Sequence, residues 1–441
     1  MADAPNVVFF FSDQQRWDTC GCYGQQLDVT PNLDRMAEEG VRFEHAFTCQ
    51  PVCGPARSAL QIGKYPEAVG CWRNNIHLPM DEKTIAHWFS EWGYEVAYVG
   101  KWHLGSTAPE INYRDKPVPP QYRGGWKDFW VASDVLEFTS HSYDGHMFDA
   151  EGNKVIFDGY RVDCVCDVAL DYLRRRESDR PFFLFVSFIE PHHQNDHNRY
   201  EGPHGSSERW ADYEVPGDLV GTEGDWRENF PDYLGCCNSL DHNLGRMRET
   251  LAELGIADET LLIYTSDHGS HFRTRNKEYK RACHEGCLRI PMVMSGPGFT
   301  GGQVVPNLVS LIDIAPTFLE TGGIPVPDHM HGRPLQGLAD PAQAGHADWP
   351  DHVFAQISES QTGRCVRTER WKYSVSMPER KLDSPFYHEE FLYDLVEDPH
   401  ERNNLVSDAD LADVRAELAE MLRADIARVE GQEPEIRPAE G

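Results

Sequence analysis

Several short apolar runs in this chain end abruptly in ionisable side chains. The first run, residues 6–11, is β-prone and is followed at once by Asp13 and Gln14. Three later runs have the same form: 94–99 before Lys101 and His103, 181–189 before His192, and 260–265 before Asp267 and His268. Continuous apolar runs are typical of parallel strands buried on both faces. The alternative, strands that merely run into polar loops, predicts Ser, Gly and Asn there as often as ionisable residues.

Segments with helical signals lie between these runs. They cover residues 32–39, 82–92, 160–176 and 232–254, and one more short strand is predicted at 291–294. Strands that alternate with helices indicate an α/β fold, with a large mainly parallel or mixed sheet sandwiched by helices. Ligands of such sheets bind outside the carboxyl ends of the strands. The sequence therefore predicts an active site at that edge.

The chain loses its periodicity near residues 340–351, which are rich in Pro, Ala, Gly and Asp. We therefore expect a catalytic domain over residues 1–345 and a C-terminal subdomain over residues 346–441 that completes the substrate cleft. Short strands are predicted at 353–357, 364–368, 371–375 and 391–393, and an amphipathic final helix at 411–429. These elements predict a small α+β unit, a short antiparallel sheet with one helix.

The chain is strongly acidic. Its 441 residues contain 41 Lys and Arg against 72 Asp and Glu, a formal net charge of −31. Phosphate backbones are captured by cationic surfaces, so no nucleic-acid partner is expected. No apolar run approaches the roughly 20 residues of a spanning helix, so no membrane partner is expected either. The first residues carry no basic segment followed by an apolar one, and we expect a cytoplasmic protein.

The 12 cysteines are interpreted mainly as reduced thiols, because close pairs such as Cys20 and Cys22 occur without an export signal. A soft-metal site at this pair, or at Cys283 and Cys287, is the alternative, but no second pair with zinc-site spacing accompanies it.

Cys53 has the surroundings of an activated nucleophile. Pro55 favours the first turn of a helix, so Cys53 would lie at the helix N-terminus. Free backbone N–H groups there stabilise an anion, and Arg57 one turn further on can hydrogen-bond the side chain of residue 53. The alternative is a buried structural cysteine, as most single cysteines are.

The stretch around Cys53 is also similar to a family signature. Cys53-Gly-Pro-Ala-Arg57 resembles the Cys-x-Pro-Ser/Ala-Arg motif of the type I sulfatases of the alkaline-phosphatase superfamily. Further matches are Gly100-Lys101-Trp102-His103-Leu104-Gly105, Pro191-His192, Ser266-Asp267-His268-Gly269, Lys280 before Pro291, and Leu392-Tyr393-Asp394-Leu395. The resemblance spans nearly the whole chain and implies the fold and the activity of a sulfatase.

The resemblance implies that a formylglycine-generating maturation enzyme oxidises Cys53 to formylglycine. The aldehyde hydrates to a diol, of which one oxygen attacks sulfur and the other later expels sulfate. By the same resemblance, Lys101 and His103 serve the nucleophile. His192 and Lys280 are assigned to the sulfate and the leaving group.

The resemblance also implies one divalent cation. Its ligands would be Asp13, Gln14, Asp267 and His268, completed by the modified Cys53. Oxygen ligands favour Ca²⁺ or Mg²⁺. An imidazole at His268, where the family frequently has Asn, favours Mn²⁺. The cation would polarise the sulfate, while Arg57, Lys101 and Lys280 offset its charge.

The expected substrate is a small carbohydrate or aryl O-sulfate ester, because a net charge of −31 disfavours long-range capture of a polyanion. Arg73 and Asn74 are candidates for the substrate pocket with His192 and Lys280, although Arg and Asn in a loop are more often solvated or capping. An oligomer is compatible with the sequence.

Two alternative functions stay open. A phosphonate monoester or phosphodiester hydrolase keeps the same fold and nucleophile, and by resemblance the Asp-Gln and Asp-His metal set also occurs in that branch. The other alternative is a non-catalytic protein that binds sulfated sugars, although such a protein would not need the complete set of nucleophile, arginine, lysines and histidines.

Overall fold

A computed structural model describes residues 4–340, 348–377 and 386–439. Its helices are α1 Pro31–Glu39, α2 Cys53–Ile62, α3 Ile85–Glu91, α4 Leu136–Thr139, α5 Arg161–Arg175, α6 Ser206–Arg209, α7 Trp226–Glu253, α8 Glu285–Leu288, α9 Ile314–Thr321, α10 Gln336–Ala339 and α11 Ala412–Glu430. Its strands are β1 Asn6–Asp13, β2 Val41–Phe47, β3 Glu95–Lys101, β4 Phe129–Ser133, β5 His146–Phe148, β6 Lys154–Ile156, β7 Phe182–Pro191, β8 Thr260–Ser266, β9 Arg289–Ile290, β10 Met292–Ser295, β11 Gln303–Ser310, β12 His352–Ile357, β13 Gly363–Thr368, β14 Trp371–Ser376, β15 Phe386–Asp394 and β16 Glu435–Arg437. Within these ranges, no helix combines the length and the apolarity that a bilayer crossing requires. All twelve cysteines are free.

The main sheet is large and mixed. Its strands follow the order β11-β2-β10-β8-β1-β7-β3-β4-β5-β6, and β9 pairs with β2. The central strands β8, β1, β7, β3 and β4 run parallel to one another, whereas β10 and β5 run antiparallel to their neighbours. The carboxyl ends of the central strands therefore meet at one edge. This arrangement confirms the predicted α/β class.

β1 lies at the centre of this sheet and is buried along its whole length. Phe9 and Phe11 pack in the apolar layer that contains residues of α2, α3 and α9. Val8 and Phe10 pack in the opposite layer, with residues of α1, α5 and α7. Successive side chains of a strand point to opposite faces, so both layers hold β1 in place. The strand that ends in Asp13 is therefore fixed by the core on both sides.

The C-terminal unit has a sheet of its own, with strand order β12-β13-β14-β15-β16 and antiparallel pairing except between β15 and β16. One face packs on α11 through Leu418 and Leu422. The other face packs on the main domain, where Cys365 shares an apolar cluster with Phe47 and Cys283. The predicted smaller C-terminal subdomain is confirmed. The predicted boundary between residues 345 and 346 lies outside the described residues.

Two helices begin several residues away from their predicted starts. α3 starts three residues later, because Thr84 forms a capping box with His87. α7 starts six residues earlier, at Trp226, and contains Pro231. Trp226 and Phe230 are buried in an aromatic cluster, and this burial stabilises the turn that precedes the proline.

Candidate active site

Cys53 is the first residue of α2, and its side chain is buried against charged groups. Its Sγ lies 2.7 Å from Lys280 Nζ, which donates to it, 3.3 Å from His268 Nε2 and 3.4 Å from Asp13 Oδ1. Burial and Asp13 raise the pKa of the thiol, but Lys280, Lys101 and His268 outweigh them and lower it to about 7. The pocket around Sγ therefore favours an anion at this position.

Two carboxylates lie beside Cys53 at the ends of adjacent strands. Asp13 ends β1, and Asp267 directly follows β8. Arg57 Nη2 lies 2.9 Å from Asp13 Oδ2 and 3.5 Å from Asp267 Oδ2, while its Nη1 donates to Ser187 Oγ at 2.6 Å. Lys101 Nζ lies 2.9 Å from Asp13 Oδ2. Asp13 is thus held by two cations, and both carboxylates are closed off from solvent.

The two carboxylates differ in their electrostatics. Burial raises the pKa of Asp13, but the surrounding cations, Lys101 foremost, hold it well below its ordinary value. Burial and the charge of Asp13 raise the pKa of Asp267 to about 7. Two buried carboxylates this close repel each other, and a further positive charge between them would relieve the repulsion.

Four residues at this position have the chemistry of a cation site. Ligand atoms of Asp13, Cys53, Asp267 and His268 lie within 4.8 Å of one another. His268 Nδ1 lies 2.8 Å from the carbonyl oxygen of Gly269, and Nε2 faces the carboxylates, 3.6 Å from Asp267 Oδ1. Asp267 Oδ2 accepts no hydrogen bond among the described residues. Two carboxylates and an imidazole nitrogen fit a divalent cation.

Gln14 is oriented beside these residues by its amide nitrogen. Gln14 Nε2 donates to Tyr200 Oη at 2.6 Å and to Ser270 Oγ at 3.4 Å. Its Oε1 is buried and accepts no hydrogen bond from the described part of the chain. Such an oxygen is costly to leave without a partner, and a cation would supply one.

Lys280 and His192 form the opposite wall. Lys280 Nζ lies 3.3 Å from His192 Nε2 and 3.2 Å from His268 Nε2, in addition to its contact with Cys53. His192 Nδ1 lies 2.6 Å from the carbonyl oxygen of His193, so Nε2 is the unprotonated nitrogen. Burial and Lys280 lower the pKa of His192 well below its ordinary value. The lysine is therefore the donor in this group of side chains.

Lys101 ends β3, and His103 lies two residues further on in the same region. Burial lowers the pKa of Lys101, but Asp13 and Glu137 outweigh it, so the ammonium is retained. Burial and Lys101 lower the pKa of His103 to about 4, which leaves the imidazole neutral. The carbonyl oxygen of His103 lies 3.6 Å from the point where a Cβ on Gly54 would stand. His103 thus borders the residue that follows Cys53.

Glu137 belongs to this group of side chains and has no place in the motifs. Its carboxylate lies 3.4 Å from Lys101 Nζ and is buried. Glu137 lies on α4, shortly after β4, so the signal that could have found it is again a carboxylate that follows a strand. Residues 129–133 were not predicted as a strand, and the signal was lost with them.

Arg73 and Asn74 lie next to the start of α2. Asn74 Oδ1 accepts the N–H of Gly54 at 2.9 Å. Arg73 Nη1 donates to the carbonyl oxygen of Asn74 at 3.2 Å, and its guanidinium lies 5.5 Å from the ring centroid of Trp72. Asn74 therefore contacts α2 directly, and its contact with substrate stays a prediction, as does that of Arg73.

Family models match almost the whole chain. The model described as Sulfatase covers residues 5–324, and the model described as N-sulphoglucosamine sulphohydrolase, C-terminal, covers residues 277–428. The two matches overlap over residues 277–324, a segment that contains Lys280, and together they include the main sheet and all of the C-terminal sheet except β16.

Individual relatives agree with these models. The chain is 28% identical to an ulvan-active sulfatase of Formosa agariphila, over 96% of this chain and 81% of the relative. It is 25% identical to an N-acetylglucosamine-6-O-sulfatase of Bacteroides thetaiotaomicron, over 98% and 88%. The structure of the candidate sulfatase YidJ of Bacteroides fragilis matches with a TM-score of 0.85 at 25% identity, over 97% and 96%. A phosphonate monoester hydrolase of Agrobacterium radiobacter shares the fold, with a TM-score of 0.71 at 22% identity over 96% of each chain. Because the model described as Sulfatase matches residues 5–324, well over half of the 441 residues, the chain belongs to the sulfatase family.

Proposed function

We propose that the protein hydrolyses the O-sulfate monoester of a carbohydrate or aryl alcohol, with residue 53 as nucleophile in its formylglycine form and with one divalent cation. The observation that carries the proposal is the set of contacts around Cys53 Sγ, where a lysine, an imidazole and a carboxylate meet on one buried side chain. A sulfate ester bound there would meet cations on several sides, in a site that largely excludes water.

The start of α2 positions the nucleophile. The first N–H groups of a helix have no partner within the helix and favour negative charge. Asn74 takes up the N–H of Gly54 and fixes this turn. The formylglycine hydrate supplies an oxygen nucleophile and a second oxygen for sulfate release when the modification is present.

The three nearby cations have different tasks. Arg57 and Lys101 both contact Asp13, so they act on the reacting group through that carboxylate. Lys280 Nζ contacts Cys53 Sγ itself. We therefore assign to Lys280 the direct stabilisation of the negative charge on the transferred sulfate.

The cation completes the electrostatics of the site. Asp13, Gln14, Asp267 and His268 would hold it, together with residue 53. When bound, it supplies Lewis-acid polarisation of the sulfate and lowers the pKa of the nucleophile. The imidazole of His268 favours Mn²⁺ over Ca²⁺.

Proton transfer is assigned to the two sides of the site. His103 is neutral at physiological pH, because burial and Lys101 lower its pKa to about 4, and it can accept the proton of the nucleophilic hydroxyl. On the other side, Lys280 Nζ lies 3.3 Å from His192 Nε2. We assign to this pair the protonation of the leaving alcohol oxygen.

The experiment compares two esters with the same reporter group. Initial rates are measured on 4-nitrophenyl sulfate and on a 4-nitrophenyl phosphonate monoester, with Cys53→Ala as the blank. We expect the sulfate to have the higher kcat/KM. A kcat/KM for the phosphonate far above that for the sulfate contradicts the sulfatase proposal and favours the phosphonate monoester hydrolase. The imidazole of His268 is compatible with that alternative. Hydrolysis by Cys53→Ala contradicts the nucleophile assignment.

A further inference from the structure

Two short turns near the active site bring two histidines and an aspartate together. The turns, residues 140–145 and 194–199, are each closed by an antiparallel bridge between their end residues. His141 lies on the first turn, and Asp196 and His197 lie on the second. Ligand atoms of these three residues lie within 4.8 Å of one another. We call the three residues the two-turn cluster.

One oxygen of Asp196 faces both imidazoles. Asp196 Oδ2 lies 2.8 Å from His141 Nε2 and 3.9 Å from His197 Nε2. The first distance is that of a hydrogen bond, whereas the second is too long for one. Ligand atoms of a tetrahedral zinc site lie about 3.3 Å apart, given metal–ligand bonds of about 2.0–2.1 Å. The two distances lie on either side of that value, so small side-chain rotations would let all three atoms bind one ion.

A carboxylate holds each histidine from the other side of its ring. His141 Nδ1 lies 3.4 Å from Asp144 Oδ1, and His197 Nδ1 lies 2.7 Å from Glu201 Oε1. Each imidazole thus has a carboxylate at Nδ1 and points Nε2 toward Asp196. Histidines that bind metals typically have this arrangement, in which a carboxylate at one ring nitrogen orients the other nitrogen toward the ion.

Asp196 is oriented by a buried side chain. Gln194 Nε2 donates to Asp196 Oδ1 at 2.8 Å, so that Oδ2 is the oxygen that faces the imidazoles. Gln194 is 1% exposed, and its Oε1 accepts a hydrogen bond from Arg161 Nη1 at 3.2 Å. The cluster itself is open, with side-chain exposures of 39% for His141, 58% for Asp196 and 40% for His197. An ion can therefore reach the cluster without any opening of the fold.

The ligand types select the kind of ion. Two imidazole nitrogens and one carboxylate oxygen suit Zn²⁺ and similar ions, whereas Ca²⁺ and Mg²⁺ prefer oxygen ligands. Three protein ligands leave a fourth position to water. The net charge of −31 raises the concentration of cations near the protein surface.

We propose that the two-turn cluster binds one divalent ion that prefers nitrogen ligands, such as Zn²⁺, with His141, Asp196 and His197 as its ligands. These ligands are separate from those of the cation at Asp13 and Asp267. The inference goes beyond the proposed function and does not depend on sulfate hydrolysis.

An ion at this position would cross-link two segments that border the active site. The first turn follows α4, which carries Glu137, and the second turn begins two residues after His192. The two segments also meet at Asn195, whose Nδ2 lies 3.5 Å from Glu137 Oε1. The bound ion therefore restricts the movement of the segment that carries His192.

The test measures Zn²⁺ binding to the full chain by isothermal titration calorimetry, after treatment with a chelator and dialysis. Wild type is compared with His141→Asn and His197→Asn, each of which removes one imidazole. His204→Asn is the matched control, because His204 is an exposed histidine outside the cluster whose ring stacks on Tyr143, with centroids 4.2 Å apart. All other groups that could bind Zn²⁺, Cys53 included, are common to these proteins, so the comparison isolates the cluster.

We expect wild type and His204→Asn to bind one more equivalent of Zn²⁺ than His141→Asn and His197→Asn do. Glu201→Gln keeps both imidazoles and removes the carboxylate behind His197, and it weakens this binding about 10–100-fold. Zn²⁺ raises the thermal midpoint of wild type more than that of the two cluster variants, because it binds the folded state. Ca²⁺ at the same concentration produces no such difference between the proteins.

Two results would overturn the proposal. One is the same Zn²⁺ stoichiometry and affinity in wild type, His141→Asn and His197→Asn. The other is loss of the same equivalent in His204→Asn, since Zn²⁺ would then bind exposed histidines in general. Both readouts are independent of turnover, so failure of this inference and failure of the proposed function are distinguishable.

Discussion

Replacing Lys280 by methionine removes the cation nearest to the reacting group and keeps an unbranched side chain. Lys280 Nζ lies 2.7 Å from Cys53 Sγ. At that distance a unit charge contributes up to about 6 kcal/mol with an effective dielectric constant of about 20. Arg57 and Lys101 remain in the variant and offset part of the loss. We therefore expect the loss typical of one transition-state donor, about 3–4 kcal/mol, or a fall in kcat of about 10²–10³.

The assay measures kcat on 4-nitrophenyl sulfate for wild type, Lys280→Met and the matched control Lys277→Met. Lys277 is an exposed lysine three residues earlier in the same segment, so the control removes the same charge without touching the site. Thermal unfolding of each variant shows whether the fold is retained. A folded Lys280→Met enzyme with more than about a tenth of the wild-type kcat would refute the assignment of Lys280 to the transferred sulfate.

Three further predictions concern the cation, the pocket and the C-terminal subdomain. Removal of divalent cations with EDTA abolishes turnover. Mn²⁺ restores more of the activity than Ca²⁺ does, because His268 adds an imidazole to the ligands. Full activity after EDTA treatment would contradict the cation site. Arg73→Ala raises KM several-fold with little change in kcat. The reason is that the guanidinium of Arg73 has no acidic partner among the described residues and is available to substrate. An unchanged KM would contradict the assignment of Arg73 to the substrate pocket. His352 Nε2 lies 2.7 Å from Asp425 Oδ2, and although burial lowers the pKa of His352, the pairing raises it above its ordinary 6.5. The stabilisation from this pair is therefore complete below pH 6.5 and is lost as the pH rises through the folded-state pKa. Urea unfolding at pH 6 and pH 9 should show that the free energy of unfolding falls by about 1 kcal/mol more in wild type than in His352→Asn. Equal decreases in the two proteins would contradict a stabilising pair.

The part of the site that lies at strand ends could be predicted from the sequence. Asp13, Lys101 and Asp267 each follow an apolar run, and this signal is local. The prediction placed the end of the second strand at residue 99, whereas β3 continues to Lys101. Gly100 makes this continuation fit, because a Cβ there would stand 1.9 Å from the carbonyl oxygen of Ser187.

The interior partners of the site could not be predicted in this way. Ser187 lies within β7, and its hydrogen bond with Arg57 depends on how α2 packs against that strand. Glu137 follows β4, a short strand whose sequence has no strong alternation. Such contacts depend on tertiary packing, which the local pattern of apolar and polar residues does not report.

The outer strands were missed for a related reason. β2, residues Val41–Phe47, contains Arg42, Glu44 and His45, and charged residues weaken a strand signal. In the structure β2 is held between β10 and β11, strands that come about 250 residues later in the chain. Pairing over such a separation stabilises the strand only in the folded protein.

The central claim, that residue 53 is a modified nucleophile, is tested most directly by mass spectrometry of the peptide that contains it. The protein is produced together with a formylglycine-generating enzyme that is shown to act on a control substrate. The account predicts a loss of about 18 Da on the Cys53 peptide, the change from thiol to aldehyde, together with hydrolysis of 4-nitrophenyl sulfate. A Cys53 peptide that stays unmodified under these conditions would contradict the account.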